Sequence, residues 1–318
     1  MRAEDRVYVA GHGGLVGSAL VRRLRADGFT NLTLRTHAEL DLTKASAVER
    51  LFATERIDYV FLAAAKVGGI IANDRYGGDF IRENLLIQTH VIDTAYRSGV
   101  KKLLFLGSSC LYPKHAPQPM KEDYLLTGPL EPTNEPYAVA KIAGITMGKA
   151  YRRQHGFNVI SLMPSNLYGP GDNFDVETSH VLAALMRRIH DAKETGAPEV
   201  VIWGTGTPRR EFLHVDDLAA ACVHLMRFFD APEIINVGTG EDIAILDLAR
   251  LVAGVVGYDG AFVTDPSRPD GHPRKVMDVS RLAATGWQAA IGLEDGIRRT
   301  YQWFLDHEAT ATERRKVS

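Results

Sequence analysis

Up to Pro164 the chain alternates short apolar runs with segments of helical periodicity. The runs are apolar at almost every position, which is typical of strands buried on both faces of a parallel sheet. Between them, apolar residues recur at helical spacing, for example over 15–25 and 80–96. This alternation predicts βαβ units with right-handed crossovers, and therefore a Rossmann-like, doubly wound parallel sheet of the α/β class. The predicted strands cover 7–10, 32–34, 59–62, 103–106 and 159–162.

The pattern changes after Pro164. Glycine and proline at 169–171 predict a loop, and beyond Asp242 the sequence indicates helices joined by loops rich in proline and glycine. We expect a nucleotide-binding Rossmann domain over 1–170, to which 210–240 returns, and a smaller C-terminal α/β substrate-binding domain formed by 171–209 and 241–318. Further elements are predicted as helices over 179–190 and 216–229 and strands over 200–203 and 234–237.

Composition narrows the class of protein without naming an activity. The 318 residues are 45% hydrophobic and 24% charged, which is ordinary for a soluble globular protein. The 37 basic and 39 acidic side chains give a net charge of −2, which argues against a nucleic-acid-binding protein. The chain has two cysteines, no apolar leader and no apolar stretch of the roughly 20 residues that span a bilayer. We therefore expect a cytoplasmic protein without disulfides, signal peptide or membrane partner.

A glycine-rich turn follows the first predicted strand. Gly11, Gly14 and Gly17 form a G-x-x-G-x-x-G motif, and a helical pattern opens at Leu15. Such a strand–turn–helix unit predicts a dinucleotide site, in which the helix N-terminus faces the diphosphate. NAD-preferring sites place a carboxylate about 20 residues further on, but this chain has Arg35 there. A guanidinium suits a 2′-phosphate, so the sequence favours NADP(H), although Arg35 at a strand end also fits a purely structural role.

A tyrosine and a lysine are spaced to share one face of a helix. Tyr137 and Lys141 are four residues apart, and Pro136 marks the helix start. A nearby ammonium is expected to lower the pKa of a phenol, which allows Tyr137 to act as a general acid. Ser108 follows the fourth predicted strand, at the sheet edge where ligands bind. The implied chemistry is reduction of a carbonyl whose oxygen contacts both hydroxyls.

Several longer blocks accompany these motifs. With them the sequence resembles the extended short-chain dehydrogenase/reductase family over nearly its whole length. The blocks are AGH at 10–12, AAAKVGGI at 63–70, GSSC at 107–110, EPTNEPY at 131–137, NLYGP at 166–170 and REFLHVDD at 210–217.

The resemblance implies two reactions in one pocket. The most similar members epimerise GDP-4-keto-6-deoxy-D-mannose at two carbons and then reduce its ketone with NADPH. In that comparison the epimerisation pair corresponds to Cys110 and His180, beside Ser108, Tyr137 and Lys141 as the reductive residues. The ketone oxygen then carries the enolate charge, stabilised by the same two hydroxyls. From the residues alone, Cys110 also fits an inert thiol, and nothing selects His180 among eleven histidines.

The family pattern also suggests residues that hold the two nucleotides, and no metal site. Basic residues are common in the family where this chain has Gly13 and His37, which leaves some use of NAD open. The residues suggested for the substrate also fit purely structural roles, on an exposed helix face, in core packing or in forming a turn. The substrate set is Arg188, Trp203, Arg210, Asp270 and Lys275. The cofactor set is Gly11, Gly14, Leu15, Val16, Gly17, Arg35, Leu106, Gly107, Ser108, Lys141, Pro164, Ser165, Asn166, Leu167 and His180.

Two other functions fit the same fold. One is an NAD-dependent nucleotide-sugar 4-epimerase or dehydratase, although dehydratases carry an acidic pair where this chain has Ser109 and Cys110. The other is a non-enzymatic nucleotide-binding sensor, which predicts a broken tyrosine–lysine pair, and here the pair is intact. The resemblance further implies a homodimer through the helices predicted over 80–96 and 137–151.

Overall fold

The computed structural model describes residues 1–175, 178–267 and 270–317. Its largest sheet has six strands, and every pairing within it is parallel. The strands of the described chain are β1 (Val7–Ala10), β2 (Leu32–Thr33), β3 (Tyr59–Leu62), β4 (Lys102–Leu106), β5 (Val159–Pro164), β6 (Asn166–Tyr168), β7 (Glu199–Trp203), β8 (Arg209–Arg210), β9 (Phe212–His214), β10 (Ile235–Val237), β11 (Ile243–Ala244), β12 (Ala261–Asp265) and β13 (Arg274–Lys275).

The six-stranded sheet has the order β10-β5-β4-β3-β1-β2, and helices cover both of its faces. This confirms the predicted doubly wound α/β fold. The helices are α1 (Leu15–Ala26), α2 (Ala45–Thr54), α3 (Ile70–Arg75), α4 (Gly77–Arg97), α5 (Glu135–His155), α6 (Val181–Thr195), α7 (Val215–Phe228), α8 (Ile245–Val256), α9 (Ser280–Ala283) and α10 (Leu293–Val317).

Successive side chains of each central strand enter opposite cores. In β4, Leu103 and Phe105 pack with α4 and α5, whereas Leu104 and Leu106 pack with α1 and α7. All five residues of β4 are buried, because a strand between two helical layers has no solvent-facing side. The carboxyl end of β4 therefore delivers the residues that follow Leu106 to the ligand-binding edge of the sheet.

A third core lies in the second half of the chain. It joins α6, α8 and α10 to one face of the two-stranded β7–β12 sheet. β7 alternates exposed and buried residues because only one of its faces is covered. A separate three-stranded sheet pairs β8 with β11 and β13, and sets Lys275 opposite Arg210. This pairing brings two predicted substrate residues together.

Candidate active site

The glycine turn packs β1 tightly against α1. Gly11 has φ of +82°, and an ideal Cβ on it would lie 2.8 Å from the Cα of Ala64. A Cβ on Gly17 would lie 2.0 Å from the carbonyl oxygen of Gly11, so only glycine fits there. Gly14 caps α1 without a side chain, which leaves the first amides of the helix for an anionic ligand. The turn thus fits the diphosphate of a dinucleotide.

Arg35 lies at the end of β2, where the sequence placed it, but it is already paired. Its guanidinium donates to Glu55 at 2.7 Å and to the carbonyl oxygen of Leu34 at 2.9 Å. Gly13 has open space around its Cα, and His37 is exposed. A 2′-phosphate at this position therefore has to share Arg35 with Glu55.

Ser108 and Cys110 share a short helical turn after β4. Ser108 caps the turn, and its Oγ accepts a hydrogen bond from the Cys110 amide at 3.2 Å. The Tyr137 phenol lies close enough to the Ser108 side chain for it to affect the pKa of the phenol. The structure therefore brings these three predicted residues to one place at the edge of the sheet.

The electrostatics of Tyr137 and Lys141 differ from the sequence prediction. Burial, followed by the nearby Cys110, raises the pKa of Tyr137 above its usual value, and the Ser108 side chain opposes this only in part. Burial lowers the pKa of Lys141 to about 7, with its Nζ 4.7 Å from the centroid of the Phe105 ring. The predicted lowering of the phenol pKa by Lys141 is therefore wrong for this structure, because desolvation disfavours both charged forms.

Lys275 connects the two residues of the predicted epimerisation pair. Its Nζ lies 3.3 Å from the Cys110 Sγ, although it is 165 residues away in the chain. Burial alone raises the pKa of Cys110, but Lys275, Ser108 and, more weakly, Arg210 together lower it below its usual value. His180 is the N-cap residue of α6; partial desolvation by the surrounding protein, and then the charge of Lys275, lower the pKa of its imidazole, which keeps an exposed edge. One ammonium thus acts on both groups.

The remaining predicted substrate residues form two groups. Arg188 lies over the ring of Trp203, 5.3 Å from its centroid, and donates to the carbonyl oxygen of Val201 at 3.2 Å. Asp270 accepts from the amide and hydroxyl of Thr205 at 2.7 and 2.9 Å, so its carboxylate fixes a turn. Arg210 is close enough to both Cys110 and Asp270 for their charges to affect its pKa, which burial lowers.

The backbone along β5 and β6 provides the other predicted cofactor residues. Ser165 is buried, its amide donates to Val237 at 3.0 Å, and its Oγ has no hydrogen-bond partner. The Asn166 amide group donates to the carbonyl oxygen of Glu211 at 2.7 Å. Pro164 ends β5, Leu167 lies in β6, and Leu106 and Gly107 end β4 beside Ser108. These segments lie at the carboxyl ends of neighbouring strands.

The chain matches the model of the NAD dependent epimerase/dehydratase family over residues 7–238. It belongs to that family. It is 63% identical over 302 residues to "Putative GDP-L-fucose synthase 2" of Arabidopsis thaliana, covering 95% of this chain and 92% of that protein. It is 55% identical over 317 residues to the GDP-L-fucose synthase of Escherichia coli K12, covering 96% and 98%. The crystal structure of a GDP-L-fucose synthetase from Naegleria fowleri bound to NADP is 28% identical, with a TM-score of 0.90 and coverage of 98% and 97%.

Membership of the epimerase/dehydratase family confirms the predicted relationship and fold. Across the described residues, no helix is both long and apolar enough to cross a membrane.

Two residues near the site were not found from the sequence. His272 lies 3.9 Å from Glu131, which pairs with Lys114 at 3.0 Å. Burial, then the charge of Lys275, lowers the pKa of His272 to about 4. Glu211 is buried and accepts amide hydrogen bonds from Thr239, Gly240 and Met277. Glu211 lies next to Arg210 in the sequence, but no sequence motif identifies a buried carboxylate whose role is to hold loops by accepting backbone hydrogen bonds.

Proposed function

We propose that this protein converts GDP-4-keto-6-deoxy-D-mannose to GDP-L-fucose by 3,5-epimerisation followed by NADPH-dependent reduction of the 4-ketone. The observation that carries the proposal is the position of Cys110, whose amide donates to Ser108, whose thiol accepts from Lys275, and which lies beside Tyr137. A carbonyl reductase needs the two hydroxyls, whereas an acidic thiol next to them adds a base for carbon acids. The similar proteins are named as synthases of GDP-L-fucose, which is the proposed product.

The reductive half depends on Ser108 and Tyr137. When bound, NADPH supplies the hydride. The raised pKa of Tyr137 keeps the phenol protonated, so it donates a hydrogen bond to the ketone oxygen and then its proton. The Ser108 hydroxyl contacts the same oxygen from the end of β4. Lys141, buried beneath the site, belongs with the cofactor residues.

The epimerising half depends on Cys110 and His180. Lys275 favours the thiolate, which removes a proton from the carbon next to the ketone as the S–H bond forms. The negative charge moves to the ketone oxygen, where Ser108 and Tyr137 stabilise it. His180 in its imidazolium form returns a proton to the opposite face of the carbon; its lowered pKa makes that form a stronger acid and a smaller fraction of the protein at neutral pH. The same residues serve both carbons next to the ketone.

The GDP group would lie beside these residues, against the second half of the chain. Arg210 and Lys275, paired across β8 and β13, face the diphosphate with charge-assisted donors. Trp203 is 49% exposed and Arg188 lies over its ring, so this pair provides an aromatic and a cationic surface for the base. Asp270 supports the turn beside them.

We further propose the two domains expected from the sequence, and a homodimer in the cytoplasm. The split is supported by the cores, since 7–163 and 213–237 supply most of the two cores of the large sheet, although Met277 and Leu282 from the second part of the chain also pack there. The core of α6, α8 and α10 supports the second domain. For the dimer, α4 and α5 lie side by side, with the Tyr151 hydroxyl 2.9 Å from Asp93, and Val139 on α5 is exposed. Analytical ultracentrifugation that gives a monomer at micromolar concentration contradicts the dimer.

The proposed function is tested by one reaction in heavy water. The protein, NADPH and GDP-4-keto-6-deoxy-D-mannose are incubated in D₂O, and the product is analysed by NMR. We expect GDP-L-fucose with deuterium at carbons 3 and 5, protium at carbon 4 and one NADPH consumed per product. A product without label at carbons 3 and 5, or no NADPH consumption, refutes the proposal. Cofactor that remains bound as NAD through gel filtration favours the 4-epimerase instead.

A further inference from the structure

The segment that leads into His180 lies directly on a glycine. The Gly69 amide donates to the carbonyl oxygen of Thr178 at 3.2 Å. An ideal Cβ on Gly69 would lie 3.3 Å from that oxygen and 3.3 Å from the carbonyl oxygen of Ser179. This separation is shorter than an ordinary van der Waals contact between carbon and oxygen, so a side chain at residue 69 has to displace the neighbouring backbone. The displaced backbone is that of the two residues before His180.

Local hydrogen bonds hold the backbone on both sides of this contact. The buried Asn73 amide donates to the carbonyl oxygens of Gly68 and Gly69 at 2.7 and 3.0 Å. On the other side, the amide and hydroxyl of Thr178 donate to one carboxylate oxygen of Asp175 at 2.9 and 2.8 Å. Because Gly69 is hydrogen-bonded to Thr178 and in close contact with Ser179, a displacement at Gly69 passes to the segment that leads into His180.

The backbone of His180 determines where its imidazole lies. His180 caps α6 with φ of −75° and ψ of 161°, and residues 181 onward are held in the helix. The position of the ring relative to Lys275 and Cys110 is therefore set by the helix on one side and by 178–179 on the other.

We propose that Gly69 is a positioning residue for proton transfer by His180. The missing side chain at residue 69 sets the distance between the imidazole and the carbon that it protonates. This inference rests on the proposed role of His180 in epimerisation. It does not involve the hydride step, which uses Ser108 and Tyr137.

The test compares Gly69→Ala with Gly254→Ala, which adds a methyl group to α8 where no heavy atom lies within 4 Å. A misplacement of about 1 Å costs roughly 100-fold in rate, so a shift of a few tenths of an ångström costs about 3- to 10-fold. We expect that loss in deuterium exchange at carbons 3 and 5 for Gly69→Ala. Oxidation of GDP-L-fucose by NADP⁺, which reports the hydride step alone, should stay within about two-fold of wild type. Gly254→Ala should match wild type in both assays.

A double-mutant cycle separates positioning from general damage. In a His180→Gln background, Gly69→Ala should have no additional effect on exchange, because the group through which it acts is gone. Independent losses in the two variants, or equal losses of exchange and hydride transfer, overturn the proposal. The His180 ring resonances, assigned with His180→Gln, give a readout without activity: Gly69→Ala should shift them and Gly254→Ala should not. If the wild type is inactive, the proposed function fails, and unchanged ring resonances in Gly69→Ala still overturn the positional link.

Discussion

Replacing Lys275 with Met should make the Cys110 thiol markedly less reactive. Lys275 is buried, and its Nζ is 3.3 Å from the Cys110 Sγ. Met keeps the length and apolar stem of the side chain and removes the charge. The pKa of Cys110 should then rise towards the value that its burial favours.

The size of the effect follows from the contact. Hydrogen bonds to charged groups contribute about 1.5–3 kcal/mol, which corresponds to about 10- to 150-fold less thiolate at a fixed pH below the pKa. Thiolates of higher pKa are more nucleophilic, with a Brønsted coefficient of about 0.4–0.5, and this recovers nearly half of the loss on a logarithmic scale. The observed rate of alkylation should therefore fall about 4- to 16-fold.

The assay is alkylation by iodoacetamide as a function of pH, followed by mass spectrometry. Cys222 is fully buried, and burial raises its pKa, so the folded protein should react at Cys110 alone. Lys275→Arg keeps a cation near the sulfur and serves as the matched control, with a rate close to wild type. An unchanged pH midpoint in Lys275→Met refutes the assignment of Lys275 as the group that favours the thiolate.

Other predictions concern the cofactor side of the site. Glu55→Gln should free Arg35 from its ion pair and lower KM for NADPH about two- to five-fold, whereas Arg35→Ala should raise KM. Initial-rate kinetics measure both values, and effects of equal size and the same sign contradict the shared ion pair. Lys141 has a folded pKa of about 7, below its unfolded value, so its cost to stability is complete below pH 7 and falls as the pH rises towards 10.5. Lys141→Met should therefore exceed wild type in free energy of unfolding at pH 6, by at most about 5 kcal/mol, with a smaller difference at pH 9 in urea titrations. Gly17→Ala should lower Tm and abolish NADPH binding, while Gly13→Ala, which meets open space, should leave Tm unchanged.

The large sheet could be predicted from the sequence because the hydrophobic pattern of each strand and helix is contained in a short segment. Strands such as β4 are apolar at nearly every position, and their partners on both faces are helices of regular periodicity. The small sheets were harder, since β8, β11 and β13 have two residues each and no apolar pattern of their own. Only tertiary pairing gives them their form, and local sequence does not contain that pairing.

The site shows the same limit. The order of Ser108, Cys110 and Tyr137 along one sheet edge follows from strand ends and helix spacing. The contact between Lys275 and Cys110 joins residues 165 positions apart, so no local spacing predicts it. The burial of these side chains could not be predicted from the sequence either. The sequence indicates an ammonium near Tyr137, whereas in the structure desolvation determines the pKa values of both Tyr137 and Lys141.

The central claim is that one ketone site serves two separable reactions. The most direct measurement gives Cys110→Ala the GDP-4-keto sugar and NADPH in D₂O and follows label and reduction together. The account predicts no deuterium at carbons 3 and 5, while the variant still oxidises GDP-L-fucose with NADP⁺ at near the wild-type rate. Full labelling of both carbons by Cys110→Ala contradicts it, and so does a loss of the hydride step as large as that of a Tyr137→Phe variant assayed alongside.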